Sequence, residues 1–297
     1  MKKLKIGYFA DGPWSHQALE KILSDKTLQV SFVCARHDNP DKILEAKAIA
    51  NSLNFITHPN ISSDEFHERM IEFHCDLFVS MSFNQIFRNR LINLPPLKTI
   101  NCHAGKLPFY RGRNILNWAL INDEKEFGIT VHYVDDGIDT GDIIIQRCYP
   151  ITDNDNYATL LNCAYEGCAT TLYEGIKEIQ CDNVKPIKQD DIHPVGLYCT
   201  GRREGDERLD WNQKSRDIFN FVRAICRPGP EARSFLGDAE IRINNTQYLP
   251  DAPIYKGIVG AVVGVEIDAF FVKTADSCIK VTEWTGCKRP RIGDRLK

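Results

Sequence analysis

The chain has 297 residues, 43% hydrophobic and 26% charged, with a formal net charge of −3. That length suits one large domain plus a smaller one, and the composition is that of an ordinary globular protein. The acidic balance argues against an extended polyanion-binding surface, because nucleic-acid binders carry a basic excess.

No run approaches the roughly 18 apolar residues of a membrane span. The apolar stretch at the amino end is too short for a signal peptide, so a cytoplasmic protein is expected, with neither nucleic acid nor membrane as partner. The eleven cysteines are scattered and form no CxxC pair. They read as reduced, mostly buried small hydrophobes rather than zinc ligands, and no metal is expected.

Leu4–Ala10 is the first expected strand, broken by Asp11-Gly12-Pro13-Trp14-Ser15. His16–Leu23 reads as a helix, with Ala18, Leu19, Ile22 and Leu23 on one face. Val30–Ala35 is a second strand. Helices follow at Asp41–Leu53 and Asp64–His74, and strands at Leu77–Met81 and Thr99–Cys102. Next come a short helix over Asn114–Ile121, strands over Gly128–Val134 and Ile143–Tyr149, and a long helical pattern over Tyr157–Ile179. Asp182–Pro194 is rich in Asp, Lys and Pro, has no strong period, and reads as a linker. Ser215–Ile225 is a helix that Arg227-Pro228-Gly229-Pro230 ends. Beyond Ala239, Ile241–Ile243, Gly257–Ile267, Phe270–Lys273 and Cys278–Thr282 look β-like.

This alternation predicts a Rossmann-like α/β fold with a mostly parallel sheet. The expected division is a catalytic core over 1–181, a linker and helical segment over 182–238, and a small β-rich module over 239–297. In such sheets ligands sit beyond the carboxyl ends of the strands, where Ser82 and His103 would lie.

Asn101-Cys102-His103 and Asp135-Asp136-Gly137-Ile138-Asp139-Thr140-Gly141-Asp142 carry the chemistry. Asn101 and His103 are two apart on a strand and share a face. Acyl transfer to an amine passes through a tetrahedral intermediate, whose oxyanion needs waiting donors. An Asn amide and a protonated imidazole both donate. A carboxylate beside the imidazole fixes its tautomer and helps remove a proton from the attacking nitrogen. Taken singly, Asn-x-His is weak and Asp139 is equally a turn residue. The loop Gly105-Lys106-Leu107-Pro108-Phe109-Tyr110-Arg111-Gly112 adds cationic and aromatic residues directly after His103.

Those two segments, with Trp118-Ala119-Leu120-Ile121-Asn122 and Gly128-Ile129-Thr130-Val131-His132 between them, resemble the 10-formyltetrahydrofolate-dependent formyltransferases. That family includes enzymes acting on methionyl-tRNA, glycinamide ribonucleotide and nucleotide-linked sugars. The resemblance runs from residue 1 to about 235. It implies a catalytic triad of Asn101, His103 and Asp139, with 10-formyltetrahydrofolate as co-substrate. It also implies a formyl-folate site at Gln85, Ile86, Phe87 and Arg113 and along the loop of Asp135, Asp136, Gly137 and Ile138. Read alone, Phe87 is equally a core residue and Arg113 a solvated charge.

The start Phe9–Ser15 looks like that of dTDP-4-amino-4,6-dideoxyglucose formyltransferases of O-antigen (lipopolysaccharide) pathways. Gly201-Arg202-Arg203 with Leu209-Asp210-Trp211 resembles the sugar-nucleotide enzymes. The glycinamide ribonucleotide enzymes end soon after the long helix, whereas this chain continues for about 110 residues. A nucleotide-linked aminosugar, a dTDP-amino-dideoxysugar, is thus the expected acceptor, and a homodimer the expected assembly. Trp14, Ser15, Lys106, Tyr110, Arg202 and Arg203 are the residues expected to meet it. Each has a plainer reading: a packing Trp, a helix-capping Ser, a solvated loop, surface cations. An enzyme for methionyl-tRNA or another amine, and a folate- or nucleotide-binding module without catalysis, are the alternatives. No GxGxxG follows the first strand, which argues against a dinucleotide-dependent dehydrogenase.

Overall fold

The computed structural model describes residues 3–286 and 289–297; Cys287 lies outside them. In chain order the elements are β1 (Leu4–Ala10), α1 (Pro13–Ser24), β2 (Leu28–Ala35), α2 (Lys42–Ala50), β3 (Asn54–Thr57), α3 (Asp64–Glu72) and β4 (Leu77–Met81). Then follow α4 (Asn89–Ile92), β5 (Thr99–His103), β6 (Arg111–Gly112), α5 (Ile115–Ile121), β7 (Glu126–Tyr133), β8 (Ile143–Pro150) and α6 (Tyr157–Gln180). The remainder is α7 (Gln189–Ile192), β9 (Tyr198–Cys199), α8 (Ser215–Ile225), β10 (Ala232–Leu236), β11 (Ala239–Gln247), β12 (Val262–Glu266), β13 (Ala269–Lys273) and β14 (Cys278–Thr285). The chain forms two compact units. One comprises Met1–Gly112, Phe127–Tyr149 and Asn162–Cys199, the other Arg113–Glu126, Pro150–Leu161 and Thr200–Lys297.

The first unit is built on a seven-stranded sheet of order β3-β2-β1-β4-β5-β7-β8. The β1–β2, β2–β3, β1–β4 and β4–β5 pairs are parallel, and β5–β7 is antiparallel. Strand order reverses at β1/β4, so the carboxyl ends of those strands flank the crevice where α/β sheets bind ligands. Ala10 pairs with Met81 and Ser80 with Asn101, which sets the loop after β1, Ser82 and the end of β5 at one edge.

Local chemistry explains the helices. Gly12 takes a left-handed φ of 67° and Pro13 opens α1, a place where its fixed φ and missing N–H cost nothing. The helix therefore starts three residues before the expected His16. Asp41 caps α2 by accepting from the N–H groups of Ile43 and Leu44, and Ser63 caps α3 through that of Phe66.

The core on one face of the sheet is aromatic. Phe9 is fully buried and packs edge-on against Phe32, Phe78, Phe83 and Phe87 at centroid distances of 5.4, 5.2, 5.6 and 4.9 Å. Ala164, Cys168, Leu172 and Ile176 make a buried i, i+4 stripe on α6.

In the second unit an antiparallel sheet of order β10-β11-β14-β13-β12 packs against α8. Leu236 bridges Leu296 and Ala261 bridges Arg295, so the last residues tie both edge strands. Trp211 Nε1 donates to Ser234 Oγ at 2.9 Å beneath β10. Asp276 accepts from the backbone N–H and hydroxyl of Ser215 at the start of α8, both at 2.9 Å.

Among the described cysteines, Cys34, Cys75, Cys102, Cys168 and Cys226 are buried and Cys148 and Cys181 are exposed. No described helix is long and apolar enough to cross a membrane.

Candidate active site

Asn101 and His103 project from β5 toward Asp139, which sits in the loop after β7. Nδ1 of His103 lies 3.6 Å from Oδ2 of Asp139, the separation of a charge pair rather than of a good hydrogen bond. Nε2 of His103 donates to the carbonyl oxygen of Tyr110 at 2.7 Å. A ring protonated on both nitrogens satisfies both neighbours.

Antiparallel pairing adds a second imidazole, which the sequence reading did not include. Asn101 stands opposite His132 in the β5–β7 register, and cross-strand partners share a face. Nε2 of His132 is 3.2 Å from Nδ2 of Asn101 and 3.5 Å from Oδ1 of Asp139, while its Nδ1 donates to Tyr133 O at 2.8 Å. His132 falls inside the expected strand Gly128–Val134 and in one of the segments that carry the resemblance. Its partnership with Asn101 depends on an antiparallel register that local pattern does not reveal.

Asp139 thus has an imidazole on each oxygen, and its Oδ2 also accepts from the Gly112 N–H at 2.9 Å. Burial would raise its pKa. His103, His132 and the Gly112 N–H outweigh burial and hold the carboxyl well below the usual range. A buried carboxylate kept ionised between two histidines can steady a cation on His103 or take up a proton. Gly105 is required here: a Cβ on it would strike His103 Nε2 and the Tyr110 carbonyl. The adjoining loop is tied to the sheet, since Thr130 Oγ1 donates to Gly105 O at 2.7 Å and Gln146 Nε2 to Leu107 O at 3.0 Å.

The remaining expected residues are distributed more widely. Gln85 spans to the loop after β3, donating to His58 O at 2.7 Å and accepting from the Ile61 N–H at 3.0 Å. Ile86 is 58% exposed, and Phe87 is buried against Phe9. Asp135 Oδ1 accepts from the Gly137 N–H at 3.1 Å and from Thr140 Oγ1 at 2.5 Å. Asp136 accepts from Asn89 Nδ2 at 2.9 Å, which draws the segment after Phe87 to this loop, where Ile138 is 55% exposed.

Trp14 packs edge-on against Tyr165 at 4.8 Å. Ser15 lies within the first turn of α1, buried, its hydroxyl donating to Gly12 O at 2.7 Å. Lys106 crosses over Gly128, where a Cβ would meet its Cα and Cβ at 2.7 Å. Tyr110 has a left-handed φ of 57° and offers its carbonyl to His103. Arg113, Arg202 and Arg203 belong to the second unit. There Arg113 is exposed. Arg202 donates to Asp206 O at 2.6 Å and lies over Phe221, and the Arg203 N–H meets Asp206 Oδ2 at 2.7 Å. Arg202 and Arg203 line a recess of about 320 Å³ with Asn114, Tyr157 and Glu207. Among the described residues no group of three His, Cys, Asp or Glu side chains could hold a metal ion.

The chain is similar to methionyl-tRNA formyltransferase of Clostridioides difficile (strain 630), 26% identical over 99% of this chain and 96% of that one. It shares its fold with WlaRD, a sugar 3N-formyl transferase determined in the presence of dTDP and 5-N-formyl-THF, at a TM-score of 0.71 and 22% identity, covering 98% of this chain and 100% of the other. It likewise matches the Helicobacter canadensis N-formyltransferase in complex with folinic acid and dTDP-3-aminofucose, with a TM-score of 0.70, 23% identity, and coverage of 96% and 100%. Residues 5–168 match the formyl transferase family and residues 203–293 its C-terminal domain, and the chain belongs to the formyl transferase family.

Proposed function

We propose that the chain transfers a formyl group from 10-formyltetrahydrofolate to the amine of a nucleotide-linked aminosugar. A dTDP-4-amino-4,6-dideoxyglucose bound for O-antigen or another surface polysaccharide is the first acceptor to test. The observation that carries formyl transfer is the Asp139 carboxylate held between His103 and His132, with Asn101 on the same face.

The formyl-folate supplies an activated formyl carbon. The acceptor nitrogen forms a bond to that carbon, the bond to the folate nitrogen breaks, and one proton passes in net from amine to leaving nitrogen. Asn101 donates an N–H to the formyl oxygen as negative charge gathers there, and so does His103 through Nδ1–H, which is too far from Asp139 for a good hydrogen bond, while Nε2–H stays on the Tyr110 carbonyl. Asp139 steadies the charged His103 and receives the amine proton, directly or through a water. His132, by accepting from Asn101 Nδ2, leaves the other amide hydrogen of Asn101 turned to the site. The loops after β4 and β7 fit a pterin: they are joined by the Asn89–Asp136 bond, offer backbone polar groups, and present Ile86 and Ile138 as apolar cover.

One feature supports a small acceptor: the likeness to sugar N-formyltransferases spans nearly the whole chain. A methionyl-tRNA acceptor is the second reading, favoured by the names of the relatives in sequence. Incubation with 10-formyltetrahydrofolate and a panel of dTDP- and UDP-aminosugars, followed by mass spectrometry, tests the choice. Gain of one formyl on an aminosugar supports the reading, and gain on methionyl-tRNA alone overturns it.

A further inference from the structure

Residues 187–199 form a strap within the first unit. Ile187 bridges Ile143, Leu197 N–H reaches Pro108 O at 3.2 Å, Arg111 N–H reaches Leu197 O at 3.0 Å, and β9 pairs with β6. At its centre is Gln189, only 3% exposed. Its Nε2 donates to the carbonyl oxygens of Asp139 and Gly141 at 2.9 and 2.8 Å. Its Oε1 accepts from Nε and Nη2 of Arg111 at 3.0 and 2.6 Å. Arg111 is itself 8% exposed, lies beneath the Tyr198 ring, and leaves no room for a Cβ on Gly196.

Asp139 has a left-handed φ of 54°, a conformation that a non-glycine residue keeps only when its surroundings impose it. Gln189 supplies that constraint by holding the carbonyls on both sides of Thr140. Arg111 in turn fixes which end of the Gln189 amide faces the loop: a guanidinium only donates, so Oε1 must point to it and Nε2 to the carbonyls.

We propose that Gln189 and Arg111 are positioning residues that set the Asp139 carboxylate between His103 and His132. Arg111 is the residue after Tyr110, whose carbonyl accepts from His103, and the residue before Gly112, whose N–H meets Asp139. One guanidinium–amide pair thereby ties both loops of the site to one strap. Neither side chain touches the reacting atoms.

Two variants test this. Gln189→Glu keeps a partner for Arg111 but presents only acceptors to the two carbonyls. Arg111→Met/Gln189→Met removes both buried polar groups together, a change that restores packing without an orphaned charge. In the parent the 13C resonance of the Asp139 carboxyl should stay that of the ionised form throughout the ordinary carboxylate range. In both variants it should titrate within that range, while the double variant melts close to the parent. The kcat for formyl transfer, a readout that rests on the function proposed above, should fall about a hundredfold with KM for the formyl donor little changed. An Asp139 resonance unmoved in Gln189→Glu overturns the clamp. So does full recovery of kcat in the double variant. If the double variant fails to fold, Gln189→Glu decides alone. If the parent transfers no formyl, the resonance still reads the clamp.

Discussion

The amide of Asn101 and the imidazole of His132 meet across the β5–β7 ladder at 3.2 Å. Because the two residues are register partners, the contact is built into the sheet rather than into a loop. His132→Ala should therefore leave the fold intact and free the Asn101 amide to rotate. We expect kcat to fall roughly ten- to a hundredfold, somewhat less than the loss of an oxyanion donor itself. Steady-state kinetics of His132→Ala beside Asn101→Ala check the order, with the Asn101 variant the slower.

Asp139→Asn keeps the shape and removes the charge. Rates should drop by about a thousandfold, within the span of a lost acid–base group. The same variant carries a pH signature. The folded-state carboxyl is depressed by its histidines and the Gly112 N–H, so its ionised form stabilises the fold above the unfolded value near ~4. That contribution is lost as pH falls from there toward the lower folded value. Denaturant midpoints measured at neutral pH and at about pH 3 should fall less steeply in Asp139→Asn than in the parent.

Gly105→Ala places a methyl group against His103 Nε2 and the Tyr110 carbonyl. One contact is backbone and the other is the working ring, so the imidazole must move. The expected result is loss of most activity, on the order of a hundredfold for an ångström of displacement. A crystal structure of the variant should show His103 turned off its contact with Tyr110.

Phe9 lies at the centre of the aromatic cluster, in edge contact with Phe32, Phe78, Phe83 and Phe87. Phe9→Ala should cost about 3–5 kcal/mol, read by thermal or urea unfolding. Phe87→Ala, at the cluster edge beside the exposed Ile86, should cost less stability and weaken formyl-folate binding as the loop after β4 loosens.

Much of the first unit was legible because its strands are short apolar runs between recognisable caps. Leu4–Ala10 and Leu77–Met81 coincide with the expected strands, and Asp41 with the expected start of a helix. Asn101 and His103 were legible as one face of a strand, since spacing alone decides that. His132 was not, because its partnership is a matter of register between segments about thirty residues apart. Gln189 was hidden differently. Asp182–Pro194 has no period because its bonds run from side chains to distant backbone, which is why it read as a linker. The basic look of Gly105–Gly112 was also misleading for Arg111, which is buried under the strap.

The place of Gln189 in the chain has a consequence for synthesis. All seven strands of the first sheet are complete at Pro150, but the strap follows only after the 24 residues of α6. A ribosome thus releases the sheet, both histidines and the carboxylate loop well before the residue that holds the loop in its left-handed turn. Until the strap emerges, the nascent unit carries Asn101, His103, His132 and Asp139 without the side chain that bonds the carbonyls on both sides of Thr140.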